Sequence, residues 1–241
     1  MTGPYAPKGR AADWTEERGA EGDRATRDPG GSSGPEAQED ISDRRERWPV
    51  DSSQELADGR LVRLRRDMVR MPGGDVAARE VLEHPGAVAV VALDPQHQVL
   101  MIRQYRHPVG RLLWEIPAGL RDVAGEPLHV TAERELLEEA GCRASQWQVL
   151  TDFFSSPGIS TERVRIFLAR DLTIVPEAER TYVPEHEEAQ LVVAWVPLDE
   201  VVTRLLRGEL HNGVTAVGIL SAYAASQDGF TALRAQDAAE G

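Results

Sequence analysis

The sequence predicts a mixed α/β domain, and three observations support that prediction. Short apolar runs of strand length recur between turn signals along the chain. Two or three longer segments space their apolar residues as helices do. The chain has 241 residues, which is long enough for one large domain or two small ones, and 41% of them are hydrophobic. We find no internal repeat.

The first 48 residues differ from the rest in composition. Ile41 is the single residue among Leu, Ile, Val and Phe in this stretch, which is rich in charged residues, Gly, Ser and Pro. Such a segment cannot bury enough apolar surface to offset its chain entropy, so we expect it to be disordered. It lacks the apolar core of a signal peptide, and no run of eighteen apolar residues occurs anywhere. We therefore expect a soluble, cytoplasmic protein.

The first predicted strands lie between residues 61 and 107. Residues 61–71 alternate loosely and precede the turn sequence PGGD, and the second strand of that hairpin is predicted over residues 78–85. Residues 87–94 (AVAVVALD) are a continuous apolar run, which predicts a strand buried on both faces. Residues 99–107 are expected to be its hairpin partner.

The second half of the chain predicts further strands and helices. Residues 112–119 (LLWEIPAG) predict a short strand that enters a glycine turn. The other predicted strands are residues 147–154, 164–172 and 189–200, and the predicted helices are residues 199–210 and 213–229.

A third helix is predicted within the glutamate-rich segment GEPLHVTAERELLEEAGC, residues 125–142. Thr131 is a candidate N-cap, and the helix would run over residues 132–140. Gly141 would end it in the left-handed conformation that glycine adopts readily.

Three glutamates share one face of this predicted helix. Glu135 lies three residues before Glu138 and four before Glu139, and both spacings bring side chains together. Like charges at these spacings repel unless a cation lies between them. From these residues alone, a metal-binding face and a solvated acidic face are equally good interpretations.

Charge and residue usage exclude several classes of ligand. The net charge of −13 argues against nucleic acid, and a phosphate substrate would be repelled unless metal ions intervene. Cys142 is the single cysteine, which excludes an internal disulfide and a cysteine metal cage. The six histidines lack ligand spacing, which argues against zinc.

The glutamates belong to a longer pattern, G-x6-E-x7-R-E-L-x-E-E-x-G-C. It resembles the Nudix box, G-x5-E-x7-R-E-U-x-E-E-x-G-U, in which U is an aliphatic residue. One extra residue lies in the loop before the helix, and a cysteine, which behaves as a small hydrophobe, replaces the last aliphatic position. The matching residues are Gly119, Glu126, Arg134, Glu135, Leu136, Glu138, Glu139, Gly141 and Cys142.

The resemblance extends over residues 52–229 and points to the ADP-ribose pyrophosphatase branch of the family. QYRH, LLWEIPAGL, SSPGIS and HEEA are similar to sequences of that branch, and Pro157, fifteen positions after Cys142, is its marker. The resemblance implies hydrolysis of ADP-ribose to AMP and ribose 5-phosphate with Mg²⁺ or Mn²⁺. The alternatives are another nucleoside diphosphate derivative (a nucleotide sugar, a dinucleotide or flavin adenine dinucleotide), a non-catalytic ADP-ribose sensor, and a binding scaffold.

The resemblance also implies the architecture. A Nudix fold is an α/β/α sandwich around a mixed β-sheet, here with extra N-terminal strands. We expect a disordered tail (1–48), N-terminal strands that serve dimerisation (49–84), a Nudix hydrolase domain (85–230) and a flexible C-terminal end (231–241). Because such strands exchange or pack between subunits in this branch, we expect a homodimer.

Glutamate oxygens are hard ligands that suit Mg²⁺ or Mn²⁺, and such ions neutralise a pyrophosphate and activate water. The resemblance implies that Glu135 and Glu139 bind metal, that Glu138 assists, and that the backbone carbonyl of Ala118 completes the coordination. The residues expected to orient this set are Arg134 and Glu126. Arg134 and Glu138 are thus the catalytic candidates on the helix.

Four residues outside the helix are candidates for substrate binding by resemblance. Arg106 would contact the diphosphate or the terminal ribose, although it also fits a surface arginine at a strand end. Leu120 would meet the substrate through its backbone, and Pro157 would line the same site. Glu80 would reach the nucleoside across the dimer interface, or is merely an exposed strand residue.

The sequence PEHEEAQ offers a further carboxylate in a loop. Glu188 fits best by its distance from the following strand, as a metal ligand or as the group that positions the attacking water. Glu185 and Glu187 remain alternatives, and His186 is expected to be an ordinary loop residue. Some relatives clamp adenine between tryptophans of the N-terminal strands, but residues 61–83 contain none here.

Overall fold

The computed structural model describes residues 41–180, 182 and 190–240. Residues from Arg47 onward form one compact unit. Most of the tail expected to be disordered lies outside the described residues, and so do Glu185, His186, Glu187 and Glu188. Within the described ranges, no helix is long and apolar enough to cross a membrane.

Strands dominate the described residues, with three α-helices among them. The strands are β1 (Val50–Asp58), β2 (Arg63–Arg70), β3 (Val76–Glu83), β4 (Ala87–Ala92), β5 (Gln98–Arg106), β6 (Arg111–Glu115), β7 (Ala118–Leu120), β8 (Cys142–Phe154), β9 (Arg163–Ile174), β10 (Val192–Pro197) and β11 (Arg234–Ala235). The helices are α1 (Leu128–Ala140), α2 (Leu198–Leu206) and α3 (Gly213–Ser226), with 3₁₀ turns at His107–Val109 and Glu177–Glu179.

The central sheet has five strands in the order β11-β8-β9-β4-β7. β4 runs parallel to β9, with Ala87 opposite Val164, whereas the other pairs are antiparallel. The sheet is therefore mixed, as the resemblance to the Nudix family implied. A second, antiparallel sheet has the order β10-β5-β6.

Strand β4 lies at the centre of the core and is buried on both faces, as its apolar run predicted. Val88 and Val90 join a buried cluster with Leu136 of α1. Ala89 and Val91 join a second cluster that includes residues of α2 and α3. Each fully buried valine stabilises the fold by about 1.5–3 kcal/mol, and the result is the three-layer α/β/α sandwich expected of the family.

The N-terminal strands form a separate antiparallel sheet in the order β1-β2-β3. β2 and β3 make the predicted hairpin, whose turn is closed by a hydrogen bond from Met71 N–H to the Asp75 carbonyl (2.7 Å). The sequence did not predict β1, because it is polar and exposed along its whole length. Pairing with β2 defines it, together with an Asp51–Arg70 ion pair (2.7 Å).

The predicted hairpin between β4 and β5 is wrong. The turn forms, with Asp94 Oδ1 accepting hydrogen bonds from the N–H groups of Gln96 and Gln98, but the strands share only the bridge between Leu93 and Val99 among the described residues. β5 then pairs with β6 and β10 in the second sheet. It has no place beside β4, because β7 and β9 occupy both edges of that strand.

The strand predicted over residues 112–119 is two strands in two sheets. Pro117 separates β6 from β7, since proline has no N–H to continue a ladder, and its carbonyl accepts a hydrogen bond from Val90 (2.8 Å). Gly119 therefore lies inside β7, opposite Val88, and not in a turn.

Helix α1 begins one turn earlier than predicted, at Leu128. Pro127 is the N-cap, and its extended backbone (φ −62°, ψ 140°) leads directly into the helix. Thr131 lies in the first turn, where its Oγ1 donates a hydrogen bond to Glu126 Oε2 (2.8 Å) instead of capping the backbone. The predicted end is confirmed, because Gly141 has φ 59° and its N–H donates back into the last turn.

Candidate active site

Helix α1 packs on the sheet through one face and carries its glutamates beside that face. Ala132, Leu136 and Ala140 are buried at four-residue spacing. Glu135 and Glu139 are partly buried next to this apolar stripe, at the margin of the sheet. The helical period thus brings two carboxylates to the interface with β7 without placing them in the apolar core.

Both carboxylates lie against the backbone of β7. The N–H of Ala118 donates a hydrogen bond to Glu139 Oε2 at 2.9 Å. At Gly119, an added Cβ would fall 2.0 Å from Glu135 Cδ and 2.2 Å from its Oε1. A side chain there would collide with the carboxylate, so glycine is required for the close approach. Three candidate ligand residues, Ala118, Glu135 and Glu139, are therefore brought together.

Arg134 is surrounded by carboxylates. Its Nη1 lies 2.7 Å from Glu135 Oε1 and 3.3 Å from Glu138 Oε2. Its Nη2 lies 3.5 Å from carboxylate oxygens of both Glu126 and Asp122. Burial lowers the pKa of Arg134, but these neighbours raise it further, so the pKa is above its usual value and the group stays charged. Sequence reasoning found four of these residues and missed Asp122, which lies in the loop that carries the extra residue.

The carboxyl group of Glu135 is held in a state that favours a proton or a cation. Burial raises its pKa to about 7, with Glu138 raising it as well, although the neighbouring Arg134 lowers it. The Arg134 guanidinium alone therefore does not offset the loss of solvation of the Glu135 carboxylate and its repulsion by Glu138. A divalent cation binding here would supply the missing positive charge.

The donor set fits a hard divalent cation in its chemistry. Two glutamates and a backbone carbonyl offer the oxygen ligands that Mg²⁺ prefers. In the described part of the chain, however, no three His, Cys, Asp or Glu side chains are already gathered as a metal cage. Glu135 is instead engaged by Arg134, and Glu139 by the Ala118 N–H. The loop candidate Glu188 lies outside the described residues.

Arg106, at the end of β5, is fixed by a carboxylate that sequence reasoning missed. Its Nε and Nη2 donate to Glu115 at 3.0 and 2.6 Å, in a bidentate pair. Glu115 is 2% exposed and also accepts a hydrogen bond from Gln104 (3.3 Å). A glutamate in the apolar run LLWEIP was the available signal, because a carboxylate is buried only when it is paired.

The other candidate residues lie on separate elements. Leu120 is half-buried at the end of β7, and Pro157 is exposed in the turn between β8 and β9. Glu80 lies on β3 of the N-terminal sheet, where its carboxylate pairs with Arg66 across the strands (2.7 Å). The turn between β8 and β9 contacts the N-terminal sheet through a parallel β-bridge from Ser160 to Leu82 of β3.

Comparisons with known families and proteins show which proteins this chain is similar to. The model of the NUDIX domain matches residues 75–215. The chain is 52% identical over 175 residues to an ADP-ribose pyrophosphatase of Mycobacterium tuberculosis, a match that covers 72% of this chain and 82% of that protein.

Two further matches are similar in extent. An ADP-ribose pyrophosphatase of Bacillus subtilis is 34% identical, over 70% of this chain and 88% of that protein. A methanol dehydrogenase activator of Bacillus methanolicus is also 34% identical, over 69% and 88%. A crystal structure of an ADP compounds hydrolase superposes with a TM-score of 0.64 at 20% identity, covering 78% of this chain and 99% of that one, which shows the same fold.

The raised pKa of Glu135 predicts a pH-dependent effect of Glu135→Gln on stability in EDTA. A folded pKa of about 7, against an ordinary value of 4.5, means that the carboxyl stabilises the fold below about pH 4.5 and loses this contribution as the pH rises through 7. The neutral glutamine has no such loss. We expect Glu135→Gln to be more stable than wild type by about 1–3 kcal/mol at pH 8, and no more stable at pH 4.5.

Thermal melts between pH 4.5 and 8 measure this difference. Glu133→Gln, an exposed position on another face of α1, is the matched control and should melt like wild type throughout. A Glu135→Gln protein that gains no stability at pH 8 would contradict the assignment of a strained carboxylate.

Proposed function

The chain belongs to the Nudix family, and from that premise we propose that it hydrolyses ADP-ribose to AMP and ribose 5-phosphate with Mg²⁺ or Mn²⁺ as cofactor. The observation that carries the proposal is the pair of carboxylates, Glu135 and Glu139, pressed against the backbone of β7. The identity with two ADP-ribose pyrophosphatases supports the choice of substrate.

The protein's own residues would supply binding, orientation and proton transfer. Glu135, Glu139 and the Ala118 carbonyl would hold the cation, which neutralises the diphosphate and acidifies a water molecule when bound. Arg134 keeps Glu135 and Glu138 side by side through its Nη1. Glu138 can accept the proton of the attacking water, and Glu188 is the second candidate for orienting that water.

Arg106 would bind the substrate diphosphate, and Glu115 would position it. The bidentate pair fixes the plane of the guanidinium, while 42% of the Arg106 side chain remains exposed. A guanidinium whose orientation is already fixed can bind phosphate oxygens with little further loss of side-chain freedom. Leu120 and Pro157 are proposed to line the same site.

A related substrate is the second candidate function. Strands β2 and β3 contain no tryptophan, so a base cannot be held between indole rings from this sheet. This favours looser selection of the base and keeps other nucleoside diphosphate derivatives as candidates. AMP or other nucleoside monophosphate release from ADP-ribose, nucleotide sugars, dinucleotides and flavin adenine dinucleotide, with Mg²⁺ and with Mn²⁺, distinguishes them.

We also propose that the protein is a homodimer formed through β1, β2 and β3. Among the described strands, these three pair only with one another, in the order β1-β2-β3. β1 is an edge strand that is exposed along its entire length, and an exposed edge strand can pair with another chain. In such a dimer Glu80 would reach the nucleoside of the partner subunit's substrate.

The first prediction from this proposal concerns the metal-binding face of α1, which carries Glu135, Glu138 and Glu139. Glu139→Gln keeps an oxygen that can accept the Ala118 N–H and has similar helix propensity, so the fold should survive. Loss of the negative ligand should lower the rate of AMP formation by about 10²–10⁴ at saturating Mg²⁺. Glu133→Gln is the control, because Glu133 is exposed and lines a cleft of about 360 Å³ beside Trp147 that no residue of β7 lines. A Glu139→Gln enzyme with more than about a third of the wild-type rate would exclude a role in catalysis.

The second prediction separates positioning from structure at Glu115. Glu115→Gln breaks a charge-assisted bidentate bond, so Arg106 should lose its fixed orientation. We expect KM for ADP-ribose to rise about tenfold with a smaller change in kcat. Glu200→Gln, which breaks the exposed Glu200–Arg204 pair (2.6 Å) on α2, is the control. If Glu115→Gln lowers the melting temperature but leaves KM unchanged, Glu115 has only a structural role.

The third prediction is the oligomeric state. Light scattering of the full chain should give twice the monomer mass of 26.5 kDa. A chain that begins at Pro85 should be monomeric and should lose activity, since it lacks the proposed dimerisation strands. A fully active monomer of the full chain would remove both the dimer and the proposed role of Glu80.

A further inference from the structure

The last described residues cross the central sheet instead of extending away from it. β11 pairs with β8 at one edge, and a hydrogen bond from Ala238 N–H to the Ala235 carbonyl (3.0 Å) turns the chain back. The Ala238 carbonyl then accepts a hydrogen bond from Arg165 of β9 (2.6 Å). Glu240 reaches Arg121, which follows β7 at the opposite edge. We call residues 236–240 the C-terminal strap.

Two arginines hold the carboxylate at the end of the strap. Arg121 donates from Nη1 and Nη2 to the two oxygens of Glu240, at 3.1 and 3.4 Å. Arg163 Nε lies 3.6 Å from the nearer of these oxygens. Two guanidinium groups on one planar anion form the arrangement that proteins use to bind carboxylates and phosphates.

Contacts with residues outside the strap also hold these two arginines in place. Gly86, with φ +91°, leaves the space in which Arg121 lies, since a Cβ there would be 3.0 Å from Arg121 Cδ. The same Cβ would be 2.9 Å from the Arg163 carbonyl. The Arg163 guanidinium also lies over the ring of Phe154, 5.6 Å from its centroid.

Several arginines cluster at this end of the sheet. Asp152 pairs with Arg165 (2.7 Å) and Arg234 (3.0 Å), and lies 3.9 Å from Arg163. With Arg121 and Glu240 included, the described residues of this network comprise four arginines together with Asp152 and Glu240. Such a cluster of arginines in a chain with a net charge of −13 is suited to an anionic ligand.

We propose that Arg121 and Arg163 form a binding site for a phosphate group, separate from the carboxylate face of α1, and that the strap occupies it through Glu240. The strap is an internal competitor that a phosphate-bearing ligand displaces. Arg121 and Glu240 are 31% and 25% exposed, so their ion pair contributes at most about 1 kcal/mol. A phosphate dianion carries more charge than the Glu240 carboxylate and has a third oxygen for the second arginine.

Calorimetric titration of the full chain with inorganic phosphate tests this proposal. EDTA is present and divalent cations are absent, so phosphate is not drawn to the carboxylate face and the result does not depend on the proposed hydrolysis. Glu240→Gln removes the competing charge and should bind phosphate about three- to fivefold more tightly than wild type. A chain that ends at Ala235 lacks the whole strap and should bind at least as tightly.

Arg121→Gln should abolish this binding, alone and in combination with Glu240→Gln. Arg204→Gln, an exposed arginine of α2 with carboxylate partners of its own, is the matched control and should leave phosphate affinity unchanged. Ribose 5-phosphate is titrated in parallel, so that tighter binding of one titrant identifies free phosphate or a phosphorylated metabolite as the source. Equal phosphate affinity in wild type, Glu240→Gln and the shortened chain would overturn the proposal, and so would phosphate binding that survives Arg121→Gln.

Discussion

The candidate active site depends on one guanidinium that keeps several carboxylates close together. Arg134 contacts Glu135 and Glu138 through Nη1 and faces Glu126 through Nη2. Two like charges about 4 Å apart at a partly buried site repel by roughly 4 kcal/mol, so these acids would separate without it. The compensation is incomplete, as the pKa of Glu135 near 7 indicates. In the proposed function, the remaining negative charge would attract the divalent cation to this face.

The packing of α1 on the central sheet in turn sets the positions of the glutamates beside Arg134. Leu136 is buried against β4, and that contact sets how close α1 comes to β7. Because Gly119 has no side chain, the Glu135 carboxylate can rest on the strand itself, and the Ala118 N–H fixes Glu139 beside it. Apolar packing on one side of the helix thus determines the geometry of charged groups on the other.

Sequence reasoning located the helix face because its residues lie within one helix, where spacing alone decides which side chains meet. The buried β4 followed from its apolar run of strand length, and the mixed sheet was implied by the resemblance to the Nudix family. Features that depend on distant partners were missed or wrong: the divergence of β5, the burial of Glu115 against Arg106, and the contact of Arg121 with a residue 119 positions later. β1 was missed because its polar sequence becomes a strand through pairing with β2 and has no pattern of its own.

The central position of β4 affects how the chain reaches its fold during synthesis. Ala87 pairs with Val164 of β9, so the most apolar strand waits for a neighbour encoded 77 positions later. At about 5–20 residues per second, β9 emerges from a ribosome roughly 4–15 s after β4. Parallel pairing of such separated strands also closes a long loop, which slows folding. The nascent chain therefore exposes the run AVAVVA for seconds, so the strand that stabilises the finished core is also a segment prone to aggregation before the domain is complete.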